Sequence, residues 1–566
     1  MRNNLTTLDL AVFFFYLIGV SAYGYYIYRS KQQAEQTTKD YFLAEGSLTW
    51  WAIGASMIAS NISAEQFIGM SGSGFKVGVA VAAYEWVAAI VLIIVAVFFM
   101  PVFLKEKIFT MPQFLEQRYN STLSLIMSIF WLFLYVLVNL TSILYLGALA
   151  LSNLVGGDSF HLIIILLALF ALLISIGGMK VVGYTDVIQV VVLVVGGLVT
   201  TYIALSLVSQ KFGLGGGAIS GFNALMDKAP DHFHMIFPKP TASTPQVEID
   251  KYLSLPGIAM YLAGQWIVNL NYWGCNQYIT QRALGADLHT ARTGILFAGI
   301  LKLMMPAIVM LPGIAAYVLY NNGSLQAEMS STGAFNSDNA YSAILTFLPN
   351  GLKGLSMAAL TAAIVASLAG KVNSISTIFT LDIYKRYLNH QATEKKQVWV
   401  GRLAIVAAIV ISIGLTWQDA LGIGGEGGFQ FIQKYTGFIS PGILAIFLLG
   451  MFWKRTTATA AIVGVLVGFA MSVFFNEYAP SALGNETLLY TAYPNGKGGF
   501  EIPFLICMGL SFAITMGLMI AISLTGPSVS ARAIALYPGL FRVNRQTLTL
   551  IIITLLLLTA LYVKLW

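Results

Sequence analysis

The chain has 566 residues, of which 57% are apolar and only 10% charged, and its mean hydropathy is +0.77. Soluble domains carry roughly 25% charged residues, so this composition excludes a soluble globule and fixes the class as an all-α polytopic membrane protein. The formal charge of +7 comes from basic residues scattered singly between apolar runs, which excludes the clustered footprint of a nucleic-acid binder.

In chain order, the first apolar run spans Leu10 to Tyr28 and is followed by Arg29 and Lys31. It has neither a basic leader nor a clean small-residue cleavage site, so it reads as a retained helix. Fourteen runs are long enough to cross a bilayer: 7–29, 47–74, 79–104, 122–153, 158–179, 184–208, 255–279, 294–321, 352–384, 398–416, 429–452, 456–475, 501–524 and 547–565. With the N-terminus outside, 19 of the 31 Lys and Arg flank inner ends, 9 flank outer ends and 3 lie within helices. The inner set includes Arg282, Lys385, Arg386, Lys454 and Arg455. Four of the outer basic residues sit in the long 209–254 loop, which weighs little, so the positive-inside rule places both termini outside. Cys275 and Cys507 lie in separate apolar runs at no metal or redox spacing, and no disulfide is expected.

Two runs read as broken. The second contains "ASNISAEQF" (Ala59 to Phe67) and the seventh "NLNYWGCNQY" (Asn269 to Tyr278), where a lipid-facing helix would be Leu-rich. They are five helices apart, so one runs outward and the other inward, the arrangement of an inverted repeat with substrate and ion sites at the midplane beside the interruptions. Polar residues serving only as interhelical glue are the plainer alternative. The expected organisation is an extra helix and inner loop over 1–46, a first repeat over 47–208, an outer loop over 209–254, a second repeat over 255–452 and three C-terminal helices over 453–566.

These segments, with "YEW" (Tyr84 to Trp86), "VNLTS" (Val138 to Ser142), "TDVIQ" (Thr185 to Gln189), "STIFTLDIYK" (Ser376 to Lys385) and "YTGFISPGILAIFLLGMFWK" (Tyr435 to Lys454), resemble the sodium/glucose cotransporter branch of the sodium:solute symporters, and within it the bacterial sodium/galactose symporters. The resemblance implies a LeuT-type core of two inverted five-helix repeats within 14 transmembrane helices. It also implies a sugar site of Gln66, Glu85, Asn139, Asn269, Lys302 and Gln433, an inner gate at Tyr272 and an outer gate of Met70, Tyr84 and Phe429. The residue chemistry agrees with this: sugar hydroxyls donate and accept, so a buried site needs amides and charged groups, and intramembrane Glu85 and Lys302 are costly unless paired or functional. Ala88 stands where the resemblance has a sugar-contacting serine, so one hydroxyl contact is lost.

By the same resemblance sodium, the coupling ion, would be held by the carbonyls of Ala59, Ile62 and Ala363 and by hydroxyls at two consecutive positions that here read Ala366 and Ser367. One hydroxyl ligand is therefore missing. Lys371, four residues after Ser367, shares its helix face, and it precedes Lys385 by roughly 20 Å of helix at 1.5 Å per residue. Three readings of this lysine stand open: an ion pair with Asp186 on the ion exit path, a buried amine that supplies a protonation step or a fixed charge modifying sodium coupling, or a side chain reaching into an aqueous cavity.

The expected function is sodium-coupled symport of a glucose- or galactose-like monosaccharide by alternating access in a bacterial inner membrane, the partners being the sugar, sodium and the lipid bilayer. Symport of inositol, a sugar acid or a nucleoside, coupled to sodium or protons, is the alternative within the family, and a sugar sensor without transport the alternative beyond it. An enzyme would need clustered catalytic residues, whereas the five histidines are dispersed, and the "HFH" at 232–234 reads as an exposed loop pair without assignable chemistry. The loops 209–254, 322–351 and 476–500 read as surface excursions.

Overall fold

The computed structural model describes residues 5–30, 37–44, 48–156, 159–330, 335–423 and 428–566; Lys31, expected at the first inner flank, lies outside the described residues. It is almost wholly helical. Among the described residues eleven helices are long and apolar enough to cross a membrane, and Phe160–Ser175 is a shorter apolar one. The difference from fourteen has physical causes. The second expected run is split into Trp50–Asn61 and a helix resuming at Glu65, and the seventh into Gly264–Cys275 and Gln277–Leu284. The continuous stretch Glu65–Lys105 has 41 residues, about 60 Å at 1.5 Å per residue, twice the roughly 30 Å of a hydrocarbon core. It turns at Gly78, whose φ of +66° and contact with the His232 backbone leave no room for a side chain.

The core is formed where Met179–Lys211 lies along Leu352–Thr377, and where Leu288–Val309 lies along both Trp50–Asn61 and Ala83–Ile94. Leu352–Thr377 is the most enclosed of these, with nearly every residue buried, including seven Ser, Thr, Asn or Lys positions from Thr361 to Thr377. A helix this polar and this buried faces protein on all sides, so its polar groups mark the interior of a site rather than lipid.

The first and last helices are tied to loop segments. Asp9 accepts from the amides of Gly351 (2.7 Å) and Gly354 (3.0 Å), and the Met235 amide donates to the Leu565 carbonyl (3.0 Å). The 209–254 loop is more than a surface excursion: it carries the helices Gly217–Lys228 and Gln246–Ser254, and His232 is buried, not exposed. Its Nε2 lies 2.9 Å from the Phe75 carbonyl and its ring stacks on Tyr317 at 3.9 Å. Burial holds this imidazole below its usual pKa of 6.5. The 476–500 loop contains a hairpin pairing Tyr493–Pro494 with Phe500–Glu501. Lys434, in the helix Gly428–Gly437, reaches Glu501 (3.3 Å) and Glu477 (3.7 Å). Elsewhere basic residues tie helix ends together: Arg118 donates to the carbonyls of Gly450, Thr456 and Trp453, and Arg386 pairs with Glu116.

Candidate functional site

The site begins with the two breaks. Trp50–Asn61 ends at Ile62, whose backbone is extended (φ −75°, ψ 106°). In a continuous helix the Ser63 amide would bond the Ala59 carbonyl and the Gln66 amide the Ile62 carbonyl. Here the Ser63 amide donates to Gln66 Oε1 (3.0 Å) and the Gln66 amide to the Ser63 carbonyl (3.1 Å), so the Ala59 and Ile62 carbonyls are released from the ladder. The chain then resumes in wide, π-type turns over Glu65–Met70, and a similar segment, Leu134–Leu140, carries Asn139; such turns re-aim side chains. The other break is at Asn276 (φ −100°, ψ 125°), where the Tyr135 hydroxyl donates to Asn276 Oδ1 and accepts from the Gln277 amide.

Between the breaks lies a cavity of about 60 Å³ whose wall includes all six expected sugar contacts, Gln66, Glu85, Asn139, Asn269, Lys302 and Gln433. Lys302 Nζ donates to Glu85 Oε2 and to Asn61 Oδ1, and sits 5.2 Å from the centre of the Trp273 ring. Asn61 Nδ2 continues the chain to the Tyr272 hydroxyl (3.0 Å). Asn269 spends one N–H on the Gln265 carbonyl (2.9 Å), which leaves its oxygen to accept. The wall thus offers a carboxylate, an ammonium and several amide groups, a set that can both donate to and accept from hydroxyls.

Aromatic rings close the cavity. Tyr84 and Phe429 meet edge to face at 5.3 Å, and Tyr272 packs against Trp273 (5.2 Å) and Tyr278 (5.6 Å). Tyr84, Phe429 and Tyr272 line the wall, whereas Met70, expected in the outer gate, is buried and absent from it. The wide turn of Glu65–Met70 that aims Gln66 inward carries Met70 away. Ala88 is likewise buried outside the wall. Sequence reasoning missed Asn61, Glu65, Trp273, Asn276 and Thr436, all on the wall; the first four lie in the two quoted break motifs, so their motif membership was the available signal.

Next to the released carbonyls, Ser367 Oγ donates to the Ser60 carbonyl (2.9 Å) and accepts from Lys371 Nζ (2.9 Å), and this ammonium also faces the Tyr278 ring at 4.7 Å. Ala363, Ala366 and Ser367 are fully buried on the same helix. Lys371 does not pair with Asp186. Asp186 Oδ2 accepts from Ser56 Oγ (2.5 Å) and pairs with Arg282 (3.5 Å), which also donates to Ser56 Oγ (2.7 Å), Ser60 Oγ and the Tyr278 carbonyl. Arg282, expected at an inner flank, is fully enclosed because the break at Asn276 redirects its helix into the bundle. Nor does Lys371 reach an aqueous cavity, being only 2% exposed; the acid whose charge acts on it most is Glu65.

Comparison with known proteins places this geometry. Residues 41–468 match the model of the sodium:solute symporter family. The chain is 47% identical over 500 residues to a sodium/glucose cotransporter of Vibrio parahaemolyticus, covering 87% of this chain and 89% of that one. It is 32% identical over 501 residues to the sodium/myo-inositol cotransporter 2 of Mus musculus, covering 83% and 70%. A Na+-coupled sialic acid symporter in its substrate-bound outward-open state shares the fold with a TM-score of 0.75 at 22% identity, over 93% of this chain and 99% of that one. With the family model covering most of its length and a cavity built at two broken helices, this chain belongs to the sodium:solute symporter family.

Proposed function

We propose that the chain is a sodium-coupled symporter of a glucose- or galactose-like monosaccharide, with 14 transmembrane helices, inverted repeats over 47–208 and 255–452, and both termini outside a bacterial cytoplasmic membrane. The observation that carries the reading is the single cavity wall joining Gln66, Glu85, Asn139, Asn269, Lys302 and Gln433. These groups would bind the sugar hydroxyls, Tyr272 would form the inner gate, and Tyr84 with Phe429 the outer gate. Flat ring faces can cover the C–H faces of a sugar without demanding hydrogen bonds. The released carbonyls of Ala59 and Ile62, with Ala363 and Ser367, would hold sodium near the break.

In this reading sodium binds from outside and favours the outward-open state, sugar closes the outer gate, and the repeats rock so that Tyr272 moves aside. Each sodium crossing the field contributes ~2.3 kcal/mol per 100 mV in addition to its concentration gradient. The deciding experiment is radiolabelled uptake into proteoliposomes across a panel of hexoses, inositol and sugar acids, with and without an inward sodium gradient. Hexose uptake raised by the gradient is expected; uptake of no hexose would overturn the reading. Similarity to a myo-inositol cotransporter favours inositol as the second substrate to try.

A further inference from the structure

The charges around the proposed ion site are already balanced. Two buried cations, Lys371 and Arg282, act on one another there, and two acids answer them: Asp186, bonded to Arg282, and Glu65, whose field acts on Lys371. Glu65 Oε1 is buried without a hydrogen-bond partner, so that oxygen supplies charge rather than a bond. The four formal charges sum to zero before any ion arrives. A buried cluster resists an uncompensated charge, and one added cation would be that charge.

The one side-chain hydroxyl at the proposed site is largely committed as well. Ser367 Oγ spends its proton on the Ser60 carbonyl and one lone pair on the Lys371 ammonium, each at 2.9 Å. The neighbouring position is Ala366, a methyl group. A hard cation bonds oxygen at about 2.4 Å, so an ion taking the remaining lone pair of Ser367 would lie no more than about 5 Å from Nζ. Two unit charges at that separation and an effective dielectric near 20 oppose one another by a factor of roughly two hundred. Glu65 offsets part of this.

We infer that Lys371 is a tethered competitor of sodium: its ammonium supplies the positive charge that the broken second helix and Ser367 would otherwise take from solution, and so sets a low sodium affinity. This rests on the proposed sodium-coupled reading and deepens it. The consequence is a transporter whose sodium dependence is shallow until sodium is abundant, with the fixed charge holding the Ser60 to Ser367 contact in place.

The test is sodium titration of the full-length protein in detergent by isothermal calorimetry, without sugar, for the wild type, Lys371→Met and Lys371→Gln. Gln keeps a donor for Ser367 Oγ without charge, so it remains informative if the Met variant does not fold. Both neutral variants are expected to bind sodium at least tenfold more tightly, and Lys371→Arg to stay within threefold of wild type. A shift of less than threefold in both neutral variants, or weaker sodium binding, overturns the inference. Sugar counterflow in the same preparations separates the two readings: its absence from every variant would overturn the sugar assignment, while the calorimetry still decides the lysine.

Discussion

Neutralising the Glu85–Lys302 pair distinguishes a sugar-binding pair from a structural brace. Removing one partner of a buried pair leaves an unpaired charge at about 3–5 kcal/mol. The two single variants are unequal, because the remaining partners differ. In Glu85→Gln the ammonium keeps Asn61 Oδ1 and the Trp273 face, the latter worth about 0.5–2 kcal/mol, so the cost falls at the low end of the range. In Lys302→Met the carboxylate loses the one donor it has among the described residues, which gives the upper end. The double variant holds two neutral side chains of similar volume, at less than about 1.5 kcal/mol. The cycle should therefore return a coupling of at least about 3 kcal/mol, far above the 0.5 kcal/mol scatter of independent sites. Unfolding titrations in mixed micelles, followed by tryptophan fluorescence, measure it. Sugar binding should fall at least about 100-fold in all three variants, because a site built to bond hydroxyls discriminates strongly once its polar groups change. Additive stabilities would refute the pairing, and normal hexose uptake by the stable double variant would reduce the pair to a brace.

Three further outcomes follow from the geometry. Gly69→Ala would place its Cβ 2.6 Å from that of Phe429, closer than packing allows, so hexose uptake should be lost while the purified variant keeps wild-type helicity by circular dichroism. In a cycle of Asp186→Asn with Arg282→Gln the two should couple by more than 1 kcal/mol, whereas Asp186→Asn with Lys371→Met should be nearly additive, as measured by the same unfolding titrations; the reverse would restore the Asp186–Lys371 pairing that the structure lacks. His232, held neutral by burial in the 209–254 loop, has a folded pKa below its unfolded 6.5. Its contribution is therefore full above pH 6.5 and lost as pH falls through the lowered value. Proteolysis within 209–254 should be faster at pH 5 than at pH 7.5, and His232→Gln should remove the difference.

The breaks of the second and seventh helices were legible because polar residues at bilayer depth have few other uses, and the structure places Ile62 and Asn276 in extended backbone within the quoted motifs. The meeting of Glu85 with Lys302 was legible for a related reason, since two intramembrane charges must answer one another. Met70 was expected only from the resemblance, and the wide helical turn of Glu65–Met70, which shifts the facing of every residue after it, leaves it buried off the cavity wall. His232 escaped because loop character predicts exposure, yet the turn at Gly78 leaves a space beside Phe75 and Tyr317 that its ring fills.

Arg282 shows where depth counting fails. Its distance along the chain from the last apolar residue predicts an inner flank, and a straight seventh helix would deliver it there. The break at Asn276 changes the direction of travel, so Gln277–Leu284 runs inside the bundle and brings the guanidinium against Ser56, Ser60 and Asp186. Asp186 is then answered, and Lys371 must be compensated from elsewhere, by Glu65 across the other break. The two interruptions therefore do more than expose carbonyls. They deliver one cation and one acid to the proposed ion region, Arg282 from a segment expected at an inner flank and Glu65 from within the first break motif, and the charge state there depends on both breaks keeping their geometry. A change that straightened either helix would alter the charges around the proposed ion site before it touched any of the proposed sodium ligands.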